Sequence, residues 1–137
     1  MTNKEIIKNW FSNIDKENFQ EIRNAMHSDH RFYNPMTPAA IGIEEHLGMM
    51  QMMTSSFSGE HKIEVLIEEN GKVAAWGTWS GKHTGEFEGV PATNNEIHFS
   101  WADFFEIVGG KVRNEKFEMN PMAIMSQIGA VAHQENL

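Results

Sequence analysis

Apolar positions in the first third of the chain recur with helical period. Thr2-Asn3-Lys4-Glu5 reads as a capping box, in which a hydroxyl and a carboxylate satisfy opening backbone amides. Ile6, Ile7, Trp10, Phe11 and Ile14 follow on one stripe. A break over Asp15 to Asn18 precedes a shorter helix with Phe19, Ile22 and Met26 on one side. HSDHRFYNP, His27 to Pro35, reads as a turn and a short extended segment, and Pro38 and Gly42 punctuate the loop beyond it. Ile43, Leu47, Met50 and Phe57 restore the helical spacing, and Ser58-Gly59 is the expected stop.

The period then switches to two. Ile63, Val65 and Ile67 alternate with charged residues, which predicts a strand. Asn70-Gly71 is a two-residue hairpin signal, because both turn positions need positive φ. Return strands are expected over Val73 to His83, Glu96 to Ile107 and, after Gly109-Gly110, Val112 to Met119. Asn120-Pro121 suits the N-cap and first position of a last helix, Met122 to Ile128, ended by Gly129. Helices first and antiparallel hairpins after them predict one α+β domain over residues 1–137, with residues 130–137 as a flexible tail. Helices covering one face of a curved sheet can leave a pocket between the two.

Alternation sorts the candidates for that pocket. Val73, Ala75, Gly77, Trp79, Gly81 and His83 share a face, whose small residues make room or let the sheet bend. Ile97, Phe99, Trp101, Asp103, Phe105 and Ile107 share another. Asp103 is the anomaly there: a desolvated carboxyl among large apolar neighbours has a raised pKa and needs a partner or a task. His83 and Tyr33 are the candidate partners. Glu118 and Asn120 share a face of the last strand, so Glu118 is either a pocket acid or a solvated strand acid. His83 is either a site residue or a structural strand-end histidine, and His61 and His98 are expected at the surface.

Composition narrows the chemistry. The net charge of −8 disfavours a nucleic-acid partner. No cysteine is present, which excludes disulfides and thiolate chemistry. His27 and His30 have a ligand-like interval, but no further ligands converge in the pattern, so no metal site is expected. No GxSxG, P-loop or GxGxxG motif occurs. No segment has signal-peptide or membrane-spanning character, so the expectation is a cytoplasmic protein without membrane partners. Five of the ten methionines fall between Met36 and Met53, as core filling or as an adaptable wall for an apolar ligand.

Four segments carry a resemblance: SDHRFYNP (Ser28 to Pro35), WSGKHTGEFEGVPAT (Trp79 to Thr93), ADFFEIVGGKV (Ala102 to Val112) and MAIMSQIG (Met122 to Gly129). Together they span nearly the whole chain and resemble the SnoaL-like polyketide cyclases, also described as predicted ester cyclases. The resemblance implies the α+β cone shared with nuclear transport factor, scytalone dehydratase and ketosteroid isomerase. It implies a cofactor-free pocket for a small hydrophobic ligand and a homodimer packed through the sheet. Characterised cyclases of the family close a ring by intramolecular aldol condensation, with an Asp taking a proton beside a carbonyl. The family's common acid before the last helix falls on Asn120, and an amide is no general base. Asp103 matches another frequent family Asp. The expected catalytic set is therefore Asp103, His83, Asn120 and Glu118. The expected ligand contacts are Tyr33, His30, Trp79 and Trp101, with Phe87, Met50, Met53 and Phe99 around them. The alternative is a non-catalytic binding domain of the same fold.

Overall fold

The computed structural model describes residues 1–130; the expected tail beyond Ala130, with His133, lies outside the described residues. Three helices, α1 (Asn3–Asp15), α2 (Phe19–Asn24) and α3 (Ile43–Ser56), precede or interleave with the first strand. The strands are β1 (Met26–Tyr33), β2 (Phe57–Glu69), β3 (Lys72–His83), β4 (Glu96–Val108) and β5 (Lys111–Glu118), followed by α4 (Pro121–Gln127). They form one open, curved sheet in the order β1-β5-β4-β3-β2. The expected α+β cone is the architecture found.

Local chemistry explains the boundaries. Thr2 Oγ1 accepts from Glu5 N at 3.2 Å and Glu5 Oε2 accepts from Thr2 N at 3.3 Å, closing the capping box of α1. Asn70 and Gly71 turn β2 into β3 with φ of 52° and 77°. Asn120 Oδ1 accepts from Met122 N at 3.0 Å, and Pro121 opens α4 where no amide donor is needed.

Three local expectations are corrected. Met26 opens β1 rather than closing a helix, and β1 pairs parallel with β5, so the sheet is mixed. Ser58-Gly59 does not follow α3 as a stop: β2 starts at Phe57 directly after Ser56. A bulge between Ile63 and Val65 reverses the faces of β2, so Ile63 packs on the core while Val65 and Ile67 face outward.

The core lies between the inner face of the sheet and α1 to α3. Ile7, Trp10, Phe11 and Ile22 from the helices meet Val73, Trp101, Phe105 and Val112 from the strands. The glycines of β3 do not leave empty space. A Cβ on Gly77 would sit 2.7 Å from Trp101 Cζ2 and 2.0 Å from the Lys62 carbonyl oxygen; one on Gly81 would sit 2.6 Å from Trp79 Cη2. The space they provide is filled by indoles and by the neighbouring strand. Past Glu118, β5 no longer covers β4. There the Gln127 side chain takes over: Oε1 accepts from His98 N at 2.9 Å and Nε2 donates to His98 O at 2.8 Å, as a strand neighbour would.

Candidate active site

A cavity of about 260 Å³ opens between α3, the end of α1 and the inner face of the sheet. Its wall is largely apolar. Met36, Met49, Met50, Met52 and Met53 all line it, so the whole methionine cluster of the sequence is on the cavity. Phe11, Phe32, Phe57, Trp79, Phe99 and Phe117 complete most of the rest. A dry apolar cavity of roughly 150 Å³ already holds a benzene-sized guest, so this one is large enough for a compound of about two rings.

Three protonable side chains meet on this surface: His46 from α3, Asp103 from β4 and Glu115 from β5. All are buried. Asp103 pairs with Phe117 and Phe105 with Glu115, so the two acids are diagonal neighbours on the inner face, within reach of long side chains. Neither Asp103 oxygen has a hydrogen-bond partner among the described residues, nor has Glu115 Oε1. Burial, then the neighbouring Glu115 charge, pushes the Asp103 carboxyl well above its ordinary range. Burial pushes Glu115 up to about 7. Both shifts favour the protonated form of the pair.

His46 and His30 fix a proton direction behind the acids. His30 Nδ1 lies 2.8 Å from the Val112 carbonyl oxygen, which can only accept, so Nδ1 carries the hydrogen. His30 Nε2 then accepts from His46 Nδ1–H, also at 2.8 Å. The two rings are within 2° of parallel with centroids 5.1 Å apart. That separation matches two rings joined edge to edge by such a bond, so they are coplanar rather than stacked. His46 Nε2 is left as a lone pair 3.8 Å from Glu115 Oε1. Burial and then His30 hold the His46 pKa well below its usual value, and burial first lowers that of His30. Both imidazoles are therefore neutral at pH 7.

His30, His46 and Glu115 offer ligand atoms within 4.8 Å of one another. The geometry suits a proton better than a cation, since His30 Nε2 and His46 Nδ1 point at each other across 2.8 Å and a metal–imidazole bond alone takes about 2 Å. His27, the other half of the expected interval, instead accepts from Asp29 N at 3.0 Å through Nδ1.

The expected site residues separate into two groups. Asp103, Trp79, Met50, Met53 and Phe99 line the cavity. The others do not. His83 is buried eight residues along β3 from Ala75, the partner of Asp103, which is about 26 Å of strand. It pins the loop after β3: Nδ1 lies 3.0 Å from Thr93 Oγ1, and its backbone bonds Asn95 O and Asn94 N at 3.0 and 2.9 Å. Glu118 is exposed on the outer face, and Asn120 is exposed and occupied as the α4 cap. Tyr33 also points away, with Lys116 Nζ 5.3 Å from its ring centre. Trp101 stacks on Phe11 at 4.7 Å, and Phe87 packs on Phe57 at 4.9 Å, one layer behind the cavity. His30 reaches the site only through His46.

Sequence reasoning missed Glu115, His46 and His61. Glu115 alternates with Phe117 and Met119, His46 sits on the stripe of Ile43, Leu47 and Met50, and His61 alternates with Ile63. Those spacings were sufficient signals.

Fold and cavity thus define an α+β cone with acid and imidazole groups on a hydrophobic pocket. A family model described as SnoaL-like polyketide cyclase matches residues 5–128, and the chain belongs to that family. No curated protein matches it. Among solved structures, AclR from Streptomyces galilaeus superposes with a TM-score of 0.86 at 18% identity, covering 95% of this chain and 82% of that one. A SnoaL-like polyketide cyclase from Agrobacterium tumefaciens gives 0.76 at 15% identity, with 94% and 99% covered. An LEH-like epoxide hydrolase from M. tuberculosis gives 0.72 at 13%, with 91% and 87% covered. At these identities the likeness is one of fold, and the fold carries more than one chemistry. Among the described residues no helix is long and apolar enough to cross a membrane.

Proposed function

We propose that the protein binds a small hydrophobic carbonyl compound in this cavity and moves a proton at the carbon beside the carbonyl, using side chains alone, as an aldol-type cyclase or isomerase does. One observation carries the reading: two neighbouring buried carboxyls, both shifted toward their protonated forms and backed by a neutral imidazole, in a largely apolar cavity. Asp103, held well above its ordinary range by burial, donates a hydrogen bond from its protonated form to the carbonyl oxygen as it becomes an enolate. Glu115, poised near 7, takes the proton from carbon, since a base matched to ambient pH is the most effective. His46 Nε2 accepts from Glu115 once that proton has arrived. A second reading, binding without turnover, is favoured by Asn120, which stands where the family's common acid is expected and serves the helix cap.

Exchange of the α-protons of 2-tetralone in D2O, followed by proton NMR, separates the two. Wild-type protein is expected to accelerate exchange, and Glu115→Gln or Asp103→Asn to slow it about 100-fold or more. Saturable binding of 2-tetralone with no acceleration over buffer would establish the binding reading instead.

A further inference from the structure

The cavity has a second polar feature that the carboxyl cluster does not use. His61 on β2 and Asp15 at the end of α1 both line it. Asp15 Oδ1 is 2.7 Å from His61 Nδ1, and Asp15 Oδ2 accepts from the His61 backbone N–H at 2.9 Å. Both oxygens of one carboxylate therefore hold one residue. A carboxylate oxygen accepts, so Nδ1 carries a ring hydrogen, and in the neutral ring Nε2 is the lone-pair nitrogen. The ring is wedged between Phe11, at 5.0 Å between centroids, and Trp101, at 5.7 Å. His61 Nε2 makes no hydrogen bond among the described residues. A clamp joining α1 to β2 needs only Nδ1 and the backbone; the remaining nitrogen is left for a guest.

The two polar features are set apart along the sheet. His61 pairs with Trp79, which pairs with Phe99; Asp103 lies four residues further along β4, about 13 Å of strand. Between them the lining is aromatic and thioether. We propose that Asp15 and His61 form a second hydrogen-bonding and proton-accepting site, so that the ligand is two-ended. It carries a carbonyl or enol at Asp103 and Glu115 and a hydroxyl-type donor at His61 Nε2, with an apolar body of about two rings between them. This rests on the carbonyl-binding reading above and narrows its substrate class.

The test uses 2-naphthol, with one hydroxyl, and 2,6-dihydroxynaphthalene, with one at each end. Calorimetric titration of wild-type protein is expected to give about tenfold tighter binding of the diol, the worth of one good hydrogen bond. His61→Phe, which keeps the ring contacts, and Asp15→Asn, which releases the tautomer, are each expected to abolish that preference. Binding of both compounds without preference, or a preference that survives both substitutions, overturns this proposal alone. Binding of neither compound overturns the carbonyl-binding reading with it. Nitrogen-15 spectra of the free protein add a separate reading. They must show His61 Nε2 as the unprotonated nitrogen, and the opposite tautomer overturns the assignment whatever the naphthols do.

Discussion

His30 and His46 lie in one plane, joined by a 2.8 Å bond from His46 Nδ1 to His30 Nε2. The chain of bonds starts at the Val112 carbonyl, which accepts from His30 Nδ1, and ends with a bare His46 nitrogen facing Glu115. His30 is thus a positioning residue: it decides which His46 nitrogen carries hydrogen. His30→Phe is expected to cost about 1–3 kcal/mol of stability by stranding a buried donor, and to release a mixture of His46 tautomers. Denaturant titration measures the first and nitrogen-15 chemical shifts the second. A His46 that keeps its hydrogen on Nδ1 in the variant would refute the role.

Stability against pH should carry the signature of the acids. Glu115 rises from 4.5 to about 7 on folding. Between those values the folded chain holds a proton that the unfolded chain has lost, so stability falls as pH rises through the window. Asp103 is raised as well and acts in the same sense. His46 acts oppositely. Its folded pKa lies well below 6.5, so below pH 6.5 the unfolded chain binds a proton that the folded chain refuses, and stability falls as pH drops. Glu115→Gln is expected to flatten the decline between pH 4.5 and 7, an effect on the order of a few kcal/mol. Melting curves across pH 4.5 to 8 test this, and parallel curves for variant and wild type would contradict it.

Gly77→Ala places a methyl group 2.0 Å from a backbone oxygen and 2.7 Å from the Trp101 ring. Neither neighbour can withdraw without moving β2 or opening the core. A loss of about 2 kcal/mol or more is expected in urea titration, with wild-type-like stability as the contrary result.

The outer face of the sheet carries Val65, Ile67, Trp76 and Phe104, all at least 40% exposed. Val65 pairs with Trp76 and Ala74 with Phe104, so they adjoin across three strands. Lys116 and Glu118 border the patch on β5, so its rim offers both charges to a copy of itself. We propose that a second copy of this chain covers it. Light scattering should report a dimer for wild type and a monomer for Trp76→Glu; a wild-type monomer rules the proposal out.

Secondary structure was legible where an element carries its own signal: the box at Thr2 and Glu5, the turn at Asn70-Gly71, the cap at Asn120-Pro121. The faces of β3 and β4 followed from alternation. Those of β2 did not, because the bulge after Ile63 depends on pairing with β3 and has no mark in the residues themselves. Asp103 stood out as a charge among apolar neighbours. Glu115 and His46 share buried faces too, but the motif at Trp79 to Pro91 points to His83 instead. In the fold that histidine ties down a loop. The glycines beside it predict room for a ligand or a bend in the sheet, whereas two indoles occupy the space. Which small residue admits a guest and which admits a neighbouring ring is decided by tertiary packing, not by the strand that carries it.

The cavity is assembled from two kinds of material. Its acids are carried by paired strands, where register sets their positions. Of the six methionines lining the cavity, four belong to α3, Met36 to the loop before it, and Met119 follows β5. Thioethers reshape at little cost. Exchanging side chains along that single helix would retailor the guest while leaving the proton-handling groups untouched. Selectivity and reactivity can therefore be altered separately in this scaffold, and α3 is the segment to vary first.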